Sequence, residues 1–296
     1  MTADNTMAGP IAVSQPEPGI WRERLLRIVD EPLGLAGLLV LCLFATVAVL
    51  APFLAPYDPT AQDLGNIMQA PGAAHWAGTD ELGRDILSRL IWGTRITFRT
   101  ILTVALIIGP LGLVIGVISG YCGGKVDTVL MRFTDIVLSF PSLVLALSFA
   151  AALGAGLGTA IIAISLTSWP SIARLARAET LTVRRAEYVA AARLYGASHL
   201  RLIFLYIMPM CIPSVIVRLT LAMASVILTA AGLGFLGLGA QPPSPEWGAM
   251  ISSGRKYMLD AWWIAVMPGI AILTVSLAFN LLGDTLRDIL DPRHAR

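Results

Sequence analysis

Few residues in this chain are of a type and spacing that could do chemistry. The nearest approach to a phosphate-binding loop is GYCGGKVD, residues 120–127. The pattern G-x-x-x-x-G-K-[ST] needs a glycine where Ser119 stands and a hydroxyl where Val126 stands, so the segment reads as a glycine turn. His75, His199 and His294, like Cys42, Cys122 and Cys211, are scattered without metal-ligand or disulfide spacing. Neither HExxH nor G-x-S-x-G occurs. The chain is therefore expected to be no enzyme, with no catalytic residue, metal site or cofactor of its own. What remains is charge in unusual places. Arg218 sits inside a long apolar stretch, where a charge is costly and marks a cavity-facing or gating residue, unless it snorkels or pairs with Asp135 or Asp284. Residues 174–209 carry six arginines against Glu179 and Glu187.

The elements that must hold these charges are set by composition. The chain is 56% hydrophobic and 14% charged, with a mean hydropathy of +0.75, against about 25% charge in an ordinary soluble domain. Residues 32–57, 100–124, 136–173, 219–245 and 261–283 contain no Asp, Glu, Lys or Arg. About 20 apolar residues cross a bilayer. Four blocks then hold one span each, and 136–173 holds two, broken at the glycine-rich hairpin 153–158. The expected spans are 33–55, 97–120, 130–152, 158–177, 208–236 and 261–284. This is an all-α integral membrane protein of six transmembrane helices. With both termini inside, fourteen of the 21 basic residues are cytoplasmic, six lie outside and Arg218 is in a span, so the orientation is N-in, C-in. The expected division is a cytoplasmic tail 1–31, a first helix 32–57, an extracytoplasmic loop 58–96, a five-helix core 97–284 with a cytoplasmic loop 178–207, and a tail 285–296. Residues 1–19 read as disordered, and no cleavable signal peptide is apparent. The net charge of +2 leaves nucleic acid without a footprint.

Within this frame, glycines 112, 116, 120 and 124 recur every fourth residue and predict a close helix approach inside the protein. In the outer loop, Thr79 or Asp80 is expected to cap an interfacial helix starting near Glu81, with Leu82, Ile86, Leu87 and Leu90 on its apolar face and Asp80, Arg84, Asp85 and Arg89 solvated. The Gly/Pro-rich segment 232–248, containing Gln241, Pro242, Pro243, Glu246 and Trp247, reads either as a loop anchored at the membrane surface by Trp247, Trp262 and Trp263 or as a docking site. In the cytoplasmic loop, 186–194 is a strong helix former, Gly196 ends it left-handed, Ser198 caps a second start, and Pro209 enters the next span. Val189, Ala192 and Arg193 fall near one face, and Tyr188 with Ala191 on another. That makes a small-residue knob for a partner's groove, or an ordinary cationic loop beside the inner leaflet.

The loop's spacing resembles that of the permease subunits of binding-protein-dependent ABC importers of the dipeptide/oligopeptide/nickel class. The family pattern is EAA, three residues, Gly, nine residues, I-x-L-P. It maps onto Ala190, Ala191 and Ala192, then Gly196, then Tyr206 to Pro209. Alanine replaces the glutamate, tyrosine the isoleucine and methionine the leucine, and Glu187 is the nearest acid one turn earlier. GTDELGRDILSRL, MRFTDIVLSFPSLVLAL, LGFLGLGAQPPSPEWGAM and AFNLLGDTLRDILDPR extend the resemblance over about 32–293, and it is nearest to the second permease of dipeptide systems. The resemblance implies the type I importer permease fold in the bacterial inner membrane. It implies a homologous second permease, two ATP-binding subunits that use ATP and Mg, and an extracytoplasmic binding protein as partners. Glu187, Tyr188, Ala190, Ala191, Ala192, Gly196 and Pro209 would form the ATPase-coupling loop. Di- or oligopeptides are the implied cargo, with nickel or another small solute as the alternative. A secondary transporter would require an internal repeat and a broken helix pair, neither of which the sequence suggests.

Overall fold

The computed structural model describes residues 31–290; the expected tail 1–19, the basic run 21–27 and the last six residues lie outside the described residues. Prolines and glycines punctuate the helices. α1 (Pro32–Leu54) opens with Pro32 at a position whose N–H would lack a partner anyway. α2 (Ile86–Cys122) is followed by Gly123 at φ +68° and then α3 (Gly124–Leu138). α4 (Ser142–Leu153) turns at Gly154, φ +90°, into α5 (Leu157–Val183). α6 (Glu187–Leu194) is followed by a single turn His199–Arg201, a π-helical segment Leu202–Ile207, and α7 (Met208–Phe235). α8 (Trp247–Gly254) and α9 (Trp263–Leu290) complete the described chain. Five helical runs are long and apolar enough to cross a membrane, six when the bent pair α3–α4 is one span.

The span expected over 130–152 falls on that bent pair. α3 and α4 meet at 89°. Pro141 has no N–H to continue α3, and its ring disfavours helical backbone at Phe140, so the chain breaks there and restarts at Ser142. The hairpin expected at 153–158 is present.

α2 and α5 pack along the expected glycine row. A methyl at Gly112 would lie 2.7 Å from Ile172 Cβ, and one at Gly120 would lie 2.7 Å from Thr180 Cβ; Gly116 abuts the Ala173 carbonyl. Only a missing side chain allows so close an approach. Gly124 has open space around it and is not part of the seam. α1 lies against α9 through Gly34 and Gly37, facing Thr285 and Ala278. Its other face exposes Leu43 and Phe53, as a lipid-facing helix should. The buried core gathers Val104 and Ile108 of α2, Ile164 and Ile172 of α5, Ile227 of α7 and Ile264 of α9.

The outer loop differs most from its expected form. No helix starts at Glu81; α2 itself begins at Ile86, capped by Asp85, whose carboxylate accepts from Ser88 N (2.7 Å) and Ser88 Oγ (2.7 Å). The polar residues expected in solvent, Asp80, Arg84, Asp85 and Arg89, are all buried. Asp80 accepts from the Leu82 and Arg84 amides at 2.9 Å each and from Arg84 Nε at 2.6 Å, with Arg89 Nε at 3.6 Å. Arg89 also donates to the Pro59 carbonyl (2.9 Å), and His75 Nδ1 sits 2.9 Å from Asp85 Oδ1. Buried charge persists because each charged group is paired, although Arg89 Nε and Glu81 Oε2 make no hydrogen bond of their own. Trp263 is likewise no surface anchor: it is buried and its Nε1 donates to the Thr79 carbonyl (3.2 Å).

Candidate functional site: the cytoplasmic loop and its counterpart outside

Two arginines, Arg177 and Arg184, anchor the root of the 178–207 loop. Arg177 meets Asp127 through Nε (2.5 Å) and Nη2 (2.6 Å), a two-pronged bond that ties α5 to α3. Ser119 of α2 donates to the same carboxylate at 2.5 Å. Arg184 Nη1 donates to the Gly120 carbonyl (2.7 Å), satisfying an otherwise open acceptor at the end of α2. Tyr121 Oη lies 2.6 Å from His199 Nδ1, which joins α2 to the returning limb.

On this base α6 presents one inward and one outward face. Val189 and Ala192 are buried against Val117, Leu202, Ile207 and Cys211. The expected contact role of Ala192 is thereby corrected, because its methyl packs inside this chain and is not available to a partner. Glu187, Tyr188, Ala190, Ala191 and Gly196 are exposed. Leu194 is 90% and Tyr195 93% exposed. The sequence reading passed over these two, although a large apolar pair directly before a helix-ending glycine was there to be seen. Gly196 takes φ +82°, donates to the Arg193 carbonyl (3.0 Å), and Ala197 donates to that of Ala192 (3.1 Å). This pair of bonds closes the helix in a Schellman motif, which needs a left-handed residue where Gly196 stands. Ser198 accepts from the Arg201 amide, the expected cap. Pro209 is exposed in the first turn of α7.

The outer segment divides differently from expectation. Gln241, Pro242 and Pro243 are exposed, but Glu246 and Trp247 are buried and cannot meet a docking partner directly. Trp247 donates from Nε1 to the Leu90 carbonyl (3.2 Å), bracing α8 against α2. Glu246 is packed against Gly234 and Gly239, either of which would clash with it if it carried a methyl. Burial pushes its carboxyl up to about 7, opposed by the Gly248 and Ala240 amides. Its Oε2 has no hydrogen-bond partner.

Arg218 is exposed on α7 and makes no ion pair among the described residues. Both partners suggested by sequence are otherwise placed. Asp135 pairs with Arg174 Nη2 at 2.7 Å, and Asp284 is exposed and makes no salt bridge among the described residues.

Helices long and apolar enough to cross a membrane five or six times make this an integral membrane protein. The chain belongs to the binding-protein-dependent transport system inner membrane component family, whose model matches residues 112–296. Residues 19–71 also match the N-terminal transmembrane domain of oligopeptide transport permease C. It is 46% identical to the probable D,D-dipeptide transport system permease DdpC of Escherichia coli (strain K12), over 89% of this chain and 88% of that protein. It is 45% identical to the di/tripeptide transport system permease DppC of Pseudomonas aeruginosa (strain UCBPP-PA14), over 88% of each. Among solved structures, an inward-facing form of the MetNI methionine ABC transporter matches with a TM-score of 0.57 and 18% identity, over 69% of this chain and 97% of that one, which shows a shared fold.

Proposed function

We propose that this permease forms half of an ATP-driven pathway for short peptides handed over by an extracytoplasmic binding protein. Its partners would be a homologous second permease and two ATPase subunits that use ATP and Mg. The observation that carries the coupling half is the outward face of α6 and its terminus. Leu194 and Tyr195 stand almost wholly exposed on a segment that Arg184, Arg177 and the buried Val189–Ala192 face hold rigidly to α2, α3 and α5. Two large apolar side chains at the tip of a braced helix suit a groove in a protein partner. Glu187, Tyr188, Ala190, Ala191, Gly196 and Pro209 would surround that contact, with Ala192 supporting it from below.

The peptide half rests on the relatives, whose names specify D,D-dipeptides and di- and tripeptides. Gln241, Pro242 and Pro243, which are exposed, would touch the binding protein, while the buried Glu246 and Trp247 would hold that segment in shape. The charge distribution supports cytoplasmic termini. The deciding experiment is uptake of a labelled dipeptide into vesicles carrying both permeases, with ATPases and binding protein added or withheld. Uptake should require all of them. Uptake that persists with a hydrolysis-dead ATPase would refute the reading in favour of a secondary transporter.

A further inference from the structure

We propose that Arg218 is the pathway's binding point for the α-carboxylate of the transported peptide. The inference rests on the short-peptide reading above and adds a site to it.

One side of α7 is bare over the middle of its length. At 100° per residue, Ser214, Arg218, Ser225 and Thr229 fall within an arc of about 60°. Below Arg218 this arc is covered by α5: Ser214 Oγ donates to Glu179 Oε1 (2.9 Å), and Cys211 Sγ lies 3.5 Å from Thr180 Oγ1. Above it, Gly232 abuts Leu143 of α4. Between those contacts Arg218 and Ser225 are exposed. The residues beside Arg218 are engaged elsewhere, Leu219 against Gly109 of α2 and Leu221 against Gly283 of α9. From Ser214 to Gly232 is about 27 Å of helix, room enough for a di- or tripeptide at about 3.3 Å per residue.

An occupant must then suit a cation and hydroxyls. Lipid tails do not, since a charge facing hydrocarbon is strongly unfavourable. On α5, Arg174 is matched by Asp135, whereas Arg218 makes no ion pair among the described residues; Glu179, the acid that Ser214 holds one turn below it, accepts from that hydroxyl. Every linear peptide with a free C-terminus brings one α-carboxylate, and a guanidinium fork binds a carboxylate through two parallel hydrogen bonds. Ser225 lies about 10 Å further along the same arc, within reach of a tripeptide's backbone, while Thr229 donates its hydroxyl to the Ser225 carbonyl (2.8 Å).

The test uses the whole transporter, both permeases with ATPases and binding protein, in proteoliposomes. Arg218→Gln should lower ATP-driven uptake of a labelled dipeptide at least about tenfold, the loss of one charge-assisted contact. Assembly and basal ATP hydrolysis should be unchanged, and Arg218→Lys, which keeps the charge but not the fork, should recover only part of the uptake. As an independent readout, Arg218→Cys in a chain with Cys42, Cys122 and Cys211 replaced should react with a charged, membrane-impermeant thiol reagent. Saturating dipeptide should slow that reaction. The proposal is overturned if Arg218→Gln transports as wild type. It is also overturned if that variant fails to assemble, the sign of an acidic partner on the second permease, or if the Arg218→Cys variant does not react with the reagent. A wild type that moves no short peptide overturns the underlying substrate reading instead.

Discussion

Asp80 offers the sharpest test of how the outer loop is held. Its carboxylate accepts from two backbone amides and from Arg84 Nε, and it faces Arg89 at 3.6 Å. Arg84 and Arg89 have side chains only 9% and 6% exposed, so one anion sits between two buried cations. Asp80→Asn keeps the shape and one accepting oxygen but removes the charge. Breaking a buried ion pair costs about 3–5 kcal/mol. Glu81, 3.5 Å from Arg84 Nη2, takes up part of the load, which places the expected cost near the lower end, about 3 kcal/mol. An opening equilibrium of that size rises by roughly two orders of magnitude. Trypsin reads it directly, because Arg84 and Arg89 are cleavage sites closed off in the folded loop. Cleavage within 78–90 in sealed right-side-out vesicles should accelerate roughly a hundredfold when opening is fast relative to cutting. Asp80→Asn combined with Arg84→Gln should recover a measurable part of the loss, since removing both partners costs less than stranding one. A single variant cut within about threefold of the wild-type rate would refute the claim that the network holds the loop.

Four further outcomes follow from the same geometry. Glu246 binds a proton more tightly folded, at about 7, than unfolded, at 4.5, so its contribution is fully favourable below the unfolded value and is lost as pH rises through the folded one. Glu246→Gln should therefore flatten the fall in thermal stability between about pH 5 and 8, and an unchanged pH profile would count against it. Gly112→Leu, which drives a side chain into Ile172, should cost more than about 3 kcal/mol and abolish accumulation of the folded protein on immunoblots. Gly196→Pro, at φ +82° and with its N–H donated to Arg193, should leave the chain in the membrane but uncouple ATP hydrolysis from uptake; full uptake would contradict the coupling role. Leu194→Ser with Tyr195→Ser should leave the chain's stability nearly unchanged, because both are exposed, while reducing ATPase co-purification.

Local signals in the sequence were sufficient wherever the structure is local. The uncharged blocks became helices, the glycines near 154 made a hairpin, Gly196 took its left-handed turn, and the row at 112, 116 and 120 packed on α5. The outer loop was misread because its partners are remote. Arg89 Nη1 donates to a carbonyl 30 residues earlier, Trp247 to one 157 residues away and Trp263 to one 184 residues away. No window of neighbouring residues reveals that Asp80 and Glu246 are buried. Asp85 was outcompeted as a cap by Thr79 and Asp80 because all three precede apolar residues, and only tertiary contact chooses among them. The α3–α4 break was legible in Phe140-Pro141 but was overlooked in an otherwise uniform apolar run. The inward turn of Ala192 follows from the cluster beneath α6, which draws on α2 and on the limb after Ser198.

The 37 residues of α2 run without interruption from the buried ion network around Asp80 to the root of the 178–207 loop. At 1.5 Å per residue it is about 55 Å long, well beyond the roughly 30 Å of hydrocarbon it crosses. Pro110 lies two thirds of the way along and removes one hydrogen bond from the rod at that point. That missing bond divides the helix into stretches of about 36 Å and 18 Å, and makes Pro110 the point at which the two can tilt separately instead of as one rod.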